Sequence, residues 1–295
     1  MAYTSQDLLT VLVAAVLTAG IYAAMSYGLS IIYGVMKIIN LSNAGVMMLG
    51  AFTTFELFRR AHMDPFLASL IVFVLYFLLG LGMYRLLVRR VVTSPPISSL
   101  LLLFGVWLVI QNIAILIWGN QDESILSKYT FATVNVLGLP VSVTRLVVFF
   151  VSIVALGLVY FFLTHTYTGM AIRATAQNRD AARLVGIDVE KSFMIAFALG
   201  TALAAFAGSL LGTIYSFNPD FGRVFQLKSF SIIVLGGLES LPGVAIGAII
   251  LSFIESLSIF VIRASMQNFL AFTILVVALV VLPNGVSGLW QRGRG

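Results

Sequence analysis

Uninterrupted apolar runs of spanning length recur along the chain, near residues 8–33, 43–58, 66–88, 98–118, 145–164, 191–215, 242–262 and 266–283, with a shorter one at 228–238. Crossing the hydrocarbon core takes roughly 20 apolar residues in a helix. A backbone shielded from water must satisfy its own hydrogen bonds, which leaves only helices or a closed barrel. These runs are continuous rather than alternating at period two, so helices are predicted. Composition agrees: 60% of residues are hydrophobic and only 9% charged, against about 25% charged in soluble domains. Lipid must be the solvent. The expected fold is all-α and polytopic, with about eight transmembrane helices plus broken or half-helices. Residues 1–295 read as one membrane domain, with no soluble domain or linker.

The net charge of +6 raises nucleic-acid binding, but the basic residues sit at the ends of the apolar runs, where they act as topology signals. No nucleic-acid partner is expected. With no Cys, disulfides and thiolate metal sites are excluded. His62 and His165 lie near run ends and form no metal or catalytic cluster. Met1–Asp7 lacks a basic segment and the run from Leu8 to Tyr33 is too long for a signal peptide, so none is expected. The 165–191 connection carries Arg173, Arg179, Arg183 and Lys191. The 119–144 connection carries only Lys128, opposed by Asp122 and Glu123. The first is therefore placed in the cytoplasm and the second outside. Arg89 and Arg90 then fall inside, while Arg59 and Arg60 fall outside, against the rule. The tail Gln291–Gly295, with Arg292 and Arg294, prefers the cytoplasm, whereas simple alternation leaves it outside; both placements stand. The outside connection reads either as a hairpin, Thr130–Val136 returning through Leu139–Val143, or as an irregular loop.

Two apolar regions are broken at matching places. The first reads Lys37-Ile-Ile-Asn40-Leu-Ser42-Asn43-Ala-Gly45 and the second Gly236-Gly237-Leu-Glu239-Ser240-Leu-Pro242-Gly243. After each comes a small-Gly-Val…Gly-Ala pattern, an echo between two related halves. Paired Gly/Pro-interrupted segments in corresponding halves point to a translocation path. A discontinuous helix frees backbone groups, tolerable at depth only against protein or a wet cavity, and its N-terminus favours a carboxylate or carbonyl oxygen. The candidate path residues are Asn40, Ser42, Asn43, Gly45, Gly236, Gly237, Glu239 and Ser240. The competing reading is close helix packing by small residues, which applies most directly to Gly45/Gly50 and Gly243/Gly247. Charges in or near the runs are Lys37, Glu56, Arg85, Arg145, Glu239 and Glu255; most lie near segment ends and can snorkel. Glu239 and Glu255 are the exceptions, but they form no acidic relay, which argues against ion-coupled transport.

Between the fifth and sixth runs, residues 169–185 read as one helix. Met170, Ala174, Ala181 and Val185 form one row, and Arg173, Gln177, Asp180 and Arg183 another. Gly186 suits the position past its end, and Asp188 and Glu190 suit the start of the next helix. Here Asp180-Ala181-Ala182, with Gly186 after three intervening residues, resembles the EAA loop by which ABC-importer permeases dock onto separate ATPase subunits. Small residues at 181 and 182 would let a partner approach the backbone.

The resemblance extends over the chain. Gly28-Leu-Ser-Ile-Ile-Tyr-Gly34-Val-Met-Lys-Ile-Ile-Asn40-Leu-Ser, the stretch from Thr168 to Asp188, Leu235-Gly-Gly-Leu-Glu-Ser-Leu-Pro-Gly243 and Leu282-Pro-Asn-Gly285 together resemble the permeases of branched-chain amino acid ABC importers. The similarity is to the subunit related to the high-affinity leucine/isoleucine/valine permease. It implies a multi-pass protein of the bacterial inner membrane, assembled with a homologous second permease (or a second copy), two ATP-binding subunits and an extracytoplasmic solute-binding protein. It further implies coupling through Arg173, Arg179, Asp180, Ala181, Ala182, Arg183 and Gly186. The chain has no G-x-x-x-x-G-K-[S/T] loop, so it is not expected to be an enzyme or to bind a cofactor; ATP and Mg would sit on the partner ATPases. The chain departs from the family at Asn40-Leu-Ser-Asn-Ala-Gly45, where Asn-Phe-(Ala/Ser)-His-Gly is usual, at Glu239, where Gly is common, and in lacking the Ile-x-Leu-Pro of the general EAA loop. The first two departures bear on the cargo, so small amino acids, amides and carboxylates all stay open. The alternative function is a stand-alone channel or ion-coupled carrier.

Overall fold

The computed structural model describes residues 5–136, 138–238 and 240–261, with isolated positions beyond them. Helix α1 (Ser5–Met36) runs for 32 residues, about 48 Å at 1.5 Å per residue. It is followed by α2 (Asn43–Ala61), α3 (Pro65–Leu86), α4 (Pro96–Trp118), α5 (Val143–His165), α6 (Tyr167–Gln177), α7 (Arg179–Leu184), α8 (Val189–Gly212), α9 (Phe221–Gly236) and α10 (Leu241–Val261). A one-turn 3-10 helix, Val88–Arg90, extends α3. Among the described residues, six helices are long and apolar enough to cross a membrane: α1, α3, α4, α5, α8 and α10. Of the eight expected runs, the second became α2, whose polar end carries Glu56, Arg59 and Arg60. The short run at 228–238 is the inner part of α9, which at 16 residues reaches only about 24 Å. The run at 266–283 and the basic tail lie outside the described residues.

Helix α8 is the axis of the bundle. Of its apolar window 89% is buried, against 11% in α4, so α8 lies inside while α4 lies on the surface of the bundle. Its small residues let α2 touch it backbone to backbone. A Cβ at Gly50 would strike the Ala205 carbonyl, and one at Gly208 would strike that of Met47. Close approach of this kind is how helices associate where lipid removes the hydrophobic driving force. Across the same contact Thr54 and Ser209 share a hydrogen bond of 2.5 Å. Leu70, Val74 and Leu78 of α3, Val109 and Leu116 of α4 and Phe150 and Leu158 of α5 point outward.

The loops sort into two faces. On one, Glu123 and Phe217 exchange backbone hydrogen bonds of 2.8 and 2.9 Å, Asn218 donates to Asp122 at 2.8 Å, and Tyr129 donates to Asp64 at 2.9 Å. The outside connection is a hairpin, β1 (Thr133–Val136) against β2 (Leu139–Ser142), with Thr133 opposite Ser142. On the other face Arg89 pairs with Glu190 at 2.6 Å, joining the two segments that the charge pattern places in the cytoplasm. Arg60 falls on the same face as the 119–144 connection; Glu56, one turn back, pairs with it at 2.5 Å, so its charge is locally compensated.

Candidate functional site

Helix α1 stops because Lys37 adopts a left-handed conformation, φ 58°, and the chain stays non-helical until Asn43. This first break is polar and buried: Asn40 is 1% exposed, and Ser42 and Asn43 are fully enclosed. The Asn40 side-chain oxygen accepts from the Ser42 backbone N–H at 3.0 Å and from its hydroxyl at 2.6 Å. The Asn40 carbonyl accepts from Gln226 of α9 at 3.0 Å. Among the described residues, the Asn43 amide oxygen and nitrogen, and Oε1 of Gln226, have no hydrogen-bond partner. Gly45 faces Trp107 and Ile110 of α4.

The second break is built differently. Gly237 turns the chain at φ 104°, and Ser240 accepts from the Gly243 N–H at 3.1 Å, an N-cap for α10. Gly236 and Gly243 lie face to face, so that a Cβ on either would run into the other's carbonyl. Gly247 abuts the Ile232 carbonyl, and Gly285 backs onto Gly237. Glu239 lies outside the described residues.

The cytoplasmic segment corrects the expectation of one helix over 169–185. Asn178 divides it: its side-chain oxygen accepts from the N–H groups of Asp180 and Ala181, both at 3.0 Å, capping α7 and ending α6. Asn, a strong capper, was the available signal. The division sends Arg179 inward. Its guanidinium donates to the Met36 carbonyl at 2.8 Å and the Val35 carbonyl at 3.4 Å and lies 5.0 Å over the Phe193 ring. It thus holds the last turn of α1, next to the first break. Ala182 is buried against the chain itself, contrary to its expected exposure to a partner, because the short α7 turns that face onto α8. Arg173, Asp180, Ala181 and Arg183 are exposed, with Asp180 and Arg183 3.7 Å apart. Beside them Tyr167, Met170, Leu184 and Val185 present apolar surface. Gly186, φ 82°, closes α7: its N–H bonds Arg183 and that of Ile187 bonds Ala182, both at 3.0 Å, the paired pattern that needs a left-handed residue. Asp188 caps α8, and the Lys191 backbone N–H and then its ammonium hold that carboxyl below its usual range. A cavity of about 70 Å³, bounded by Ser30 and Gly34 of α1, Ile172, Arg173 and Ala176 of α6 and Leu241, links this segment to the start of α10.

Sequence reasoning missed a second buried polar group. Lys228 of α9, Tyr22 of α1 and Glu255 of α10 meet in the interior, with Lys228 2.5 Å from Glu255. Lys228 went unremarked because it begins an apolar run, where snorkelling is the ordinary fate of lysine. Glu255, in mid-run, was the signal. Toward the outer face, a cavity of about 440 Å³ opens between Thr10, Ala14 and Leu17 of α1, the hairpin, Arg145 and Thr213.

Comparison with known proteins accords with this arrangement. No solved structure matches the chain. The high-affinity branched-chain amino acid transport system permease protein LivH of Salmonella typhimurium is 28% identical over 283 residues, 90% of this chain and 91% of the relative. Its counterpart BraD of Pseudomonas aeruginosa is 26% identical with the same coverage. The ribose import permease protein RbsC of Escherichia coli is 28% identical over 190 residues, 62% of this chain and 57% of that protein. The family described as branched-chain amino acid transport system, permease component, matches residues 11–279. With that match over most of its length, the chain belongs to this family of multi-pass inner-membrane permease subunits of ABC importers.

Proposed function

We propose that the chain carries small amino acids of the branched-chain type across the membrane, as the names of LivH and BraD suggest. The similarity to a ribose permease shows why cargo must be argued separately from family. In this reading the working importer adds a homologous second permease or a second copy, two ATP-binding subunits that hold ATP and Mg, and an extracytoplasmic solute-binding protein. The exposed apolar and basic surface of α6 and α7 docks on the ATPase, through Arg173, Arg183 and Asp180 with Leu184 and Val185. Asn40, Ser42, Asn43 and Gly45, with Gln226, line the path. Gly236, Gly237, Glu239 and Ser240 form its hinge.

The observation that carries the reading is the bond from Arg179 to the Met36 carbonyl. Through it, motion of α7 reaches the end of α1 and the broken segment without an intermediary. Buried amides without partners, as at Asn43, are rare in folded proteins and suit a passage that a polar solute or water completes. The test is charge reversal, Arg173→Glu and Arg179→Glu, in the importer assembled with its ATPase and binding protein. Substrate-stimulated hydrolysis and uptake should fall at least tenfold; unchanged values would sink the coupling role. Liposomes holding this chain alone should show no gradient-driven flux, and flux there would favour the stand-alone carrier.

A further inference from the structure

Lys228, Glu255 and Tyr22 stand on three helices and are all but closed to solvent, at 8%, 6% and 2% exposure. The Lys228 ammonium reaches Glu255 Oε1 at 2.5 Å and donates to the Tyr22 hydroxyl at 2.8 Å. The Tyr22 hydroxyl in turn donates to Glu255 Oε2. Burying such a pair carries a desolvation penalty that can exceed the attraction between the charges, and apolar residues of similar volume often hold helices together as well or better. Here the helices have other ties: Ser252 of α10 bonds the Ala15 carbonyl of α1 at 2.6 Å, and α9 meets α10 at Gly236 and Gly243. Stability therefore gives no reason for the charges, and ionisable groups at membrane depth mark solute pathways.

Their position supports a pathway role. Ala14 lines the outer cavity, and Thr18 and Tyr22 continue its row at steps of four, placing Tyr22 about 12 Å deeper along α1. On α9, Gln226 lies two residues before Lys228 and bonds Asn40 of the first break. The triad thus lies inward of an outer opening, with Arg145 on its wall, and beside the polar break, which Gln226 holds within one turn of Lys228.

We infer that Lys228, Glu255 and Tyr22 form an exchange site for the zwitterionic head group of an α-amino acid; the inference rests on the amino-acid reading above. In this structure the two side chains satisfy each other. A passing amino acid replaces both halves, its ammonium taking the place of Lys228 against Glu255 and its carboxylate that of Glu255 against Lys228 and the Tyr22 hydroxyl. Opening the pair without such a solute leaves two buried charges unpaired, which is strongly disfavoured. A zwitterion restores both contacts together, whereas a neutral amide or a simple carboxylate leaves at least one charge without a partner. The site therefore selects the head group and leaves side-chain preference to other parts of the importer.

The experiment uses the complete importer with its binding protein in proteoliposomes, and labelled L-leucine, L-isoleucine and L-valine as probes. In the double variant Lys228→Met/Glu255→Gln, complexes that assemble should take up these probes at least tenfold more slowly than wild type. Wild-type uptake by an assembled double variant overturns the inference and leaves the pair a structural tie. If the double variant does not assemble, Glu255→Asp keeps the charge but shortens its reach; it should raise the KM for uptake at least fivefold with little change in kcat. An unchanged KM there also overturns it. Absence of uptake by the wild-type importer would instead defeat the amino-acid reading itself, and this inference with it.

Discussion

Where α1 gives way to α2 the chain passes through enclosed amides, whereas where α9 gives way to α10 it turns among backbones. Among the described residues, the first break leaves both polar side-chain atoms of Asn43 and one of Gln226 without partners; the second presses Gly236 onto Gly243 and Gly285 onto Gly237. Even the serines differ. Ser240 caps its helix, while Ser42 spends its hydroxyl on Asn40 and leaves α2 without a side-chain cap. The sequence echo between the halves thus records a shared backbone need, interruption followed by a close-packed helix start. The chemistry placed on that backbone has diverged. Polar groups kept in a low-dielectric interior without partners are costly, so the first break suits a passage and the second a close-packed hinge.

The sharpest way to break this contrast is to fill one glycine at each interruption. Gly243→Val meets the Gly236 carbonyl, a backbone atom that cannot swing aside. It should cost at least the upper part of the usual range for overpacking, about 1–3 kcal/mol, seen as lost yield and a lowered Tm in detergent. Gly45→Ala meets only the Trp107 and Ile110 side chains, at 3.2 and 3.0 Å, and should be mild. Equal tolerance at both sites would erase the distinction.

Much of this was legible because lipid imposes simple rules. Continuous apolar runs foretold the helices, and the charge contrast between 165–191 and 119–144 separated loops that the fold places on opposite faces. The breaks were visible as Asn, Ser, Gly and Pro inside apolar sequence. Two things were not. Asn178 splits the cytoplasmic helix, yet one Asn in a helix-prone stretch carries only a weak penalty; its capping role depends on how the chain turns at Arg179. Lys228 and Tyr22 gained meaning only when tertiary packing brought them to Glu255, more than two hundred residues from Tyr22 in sequence. Whether the glycines packed or lined a path was likewise undecidable from residue type, since both uses need a missing Cβ.

A smaller effect should separate stability from transport at the first break. Asn43→Leu removes a buried amide that has no hydrogen bond to lose among the described residues, so the folded state should hold or gain about 1 kcal/mol, the lower end of the cost of a buried unsatisfied polar group. Uptake should nevertheless fall severalfold. Melting of the purified importer and transport measured on the same preparation check both halves. A large loss of stability without a transport defect would make Asn43 an ordinary structural residue.

The smallest difference lies between the two serines. Ser240→Ala removes the α10 cap and should cost about 1 kcal/mol, expressed as faster amide exchange at the first turn of α10. Ser42→Ala should cost a similar amount, about 1 kcal/mol for a net hydrogen bond, but by another route. It removes one of the two bonds to the Asn40 side-chain oxygen, the Ser42 backbone N–H remaining, and the Asn40 carbonyl is tied to Gln226, so exchange should quicken across the 37–42 segment and the facing turn of α9. Uptake should fall more for Ser42→Ala than for Ser240→Ala at equal stability. The reverse order would place the working part of the path at the glycine hinge instead.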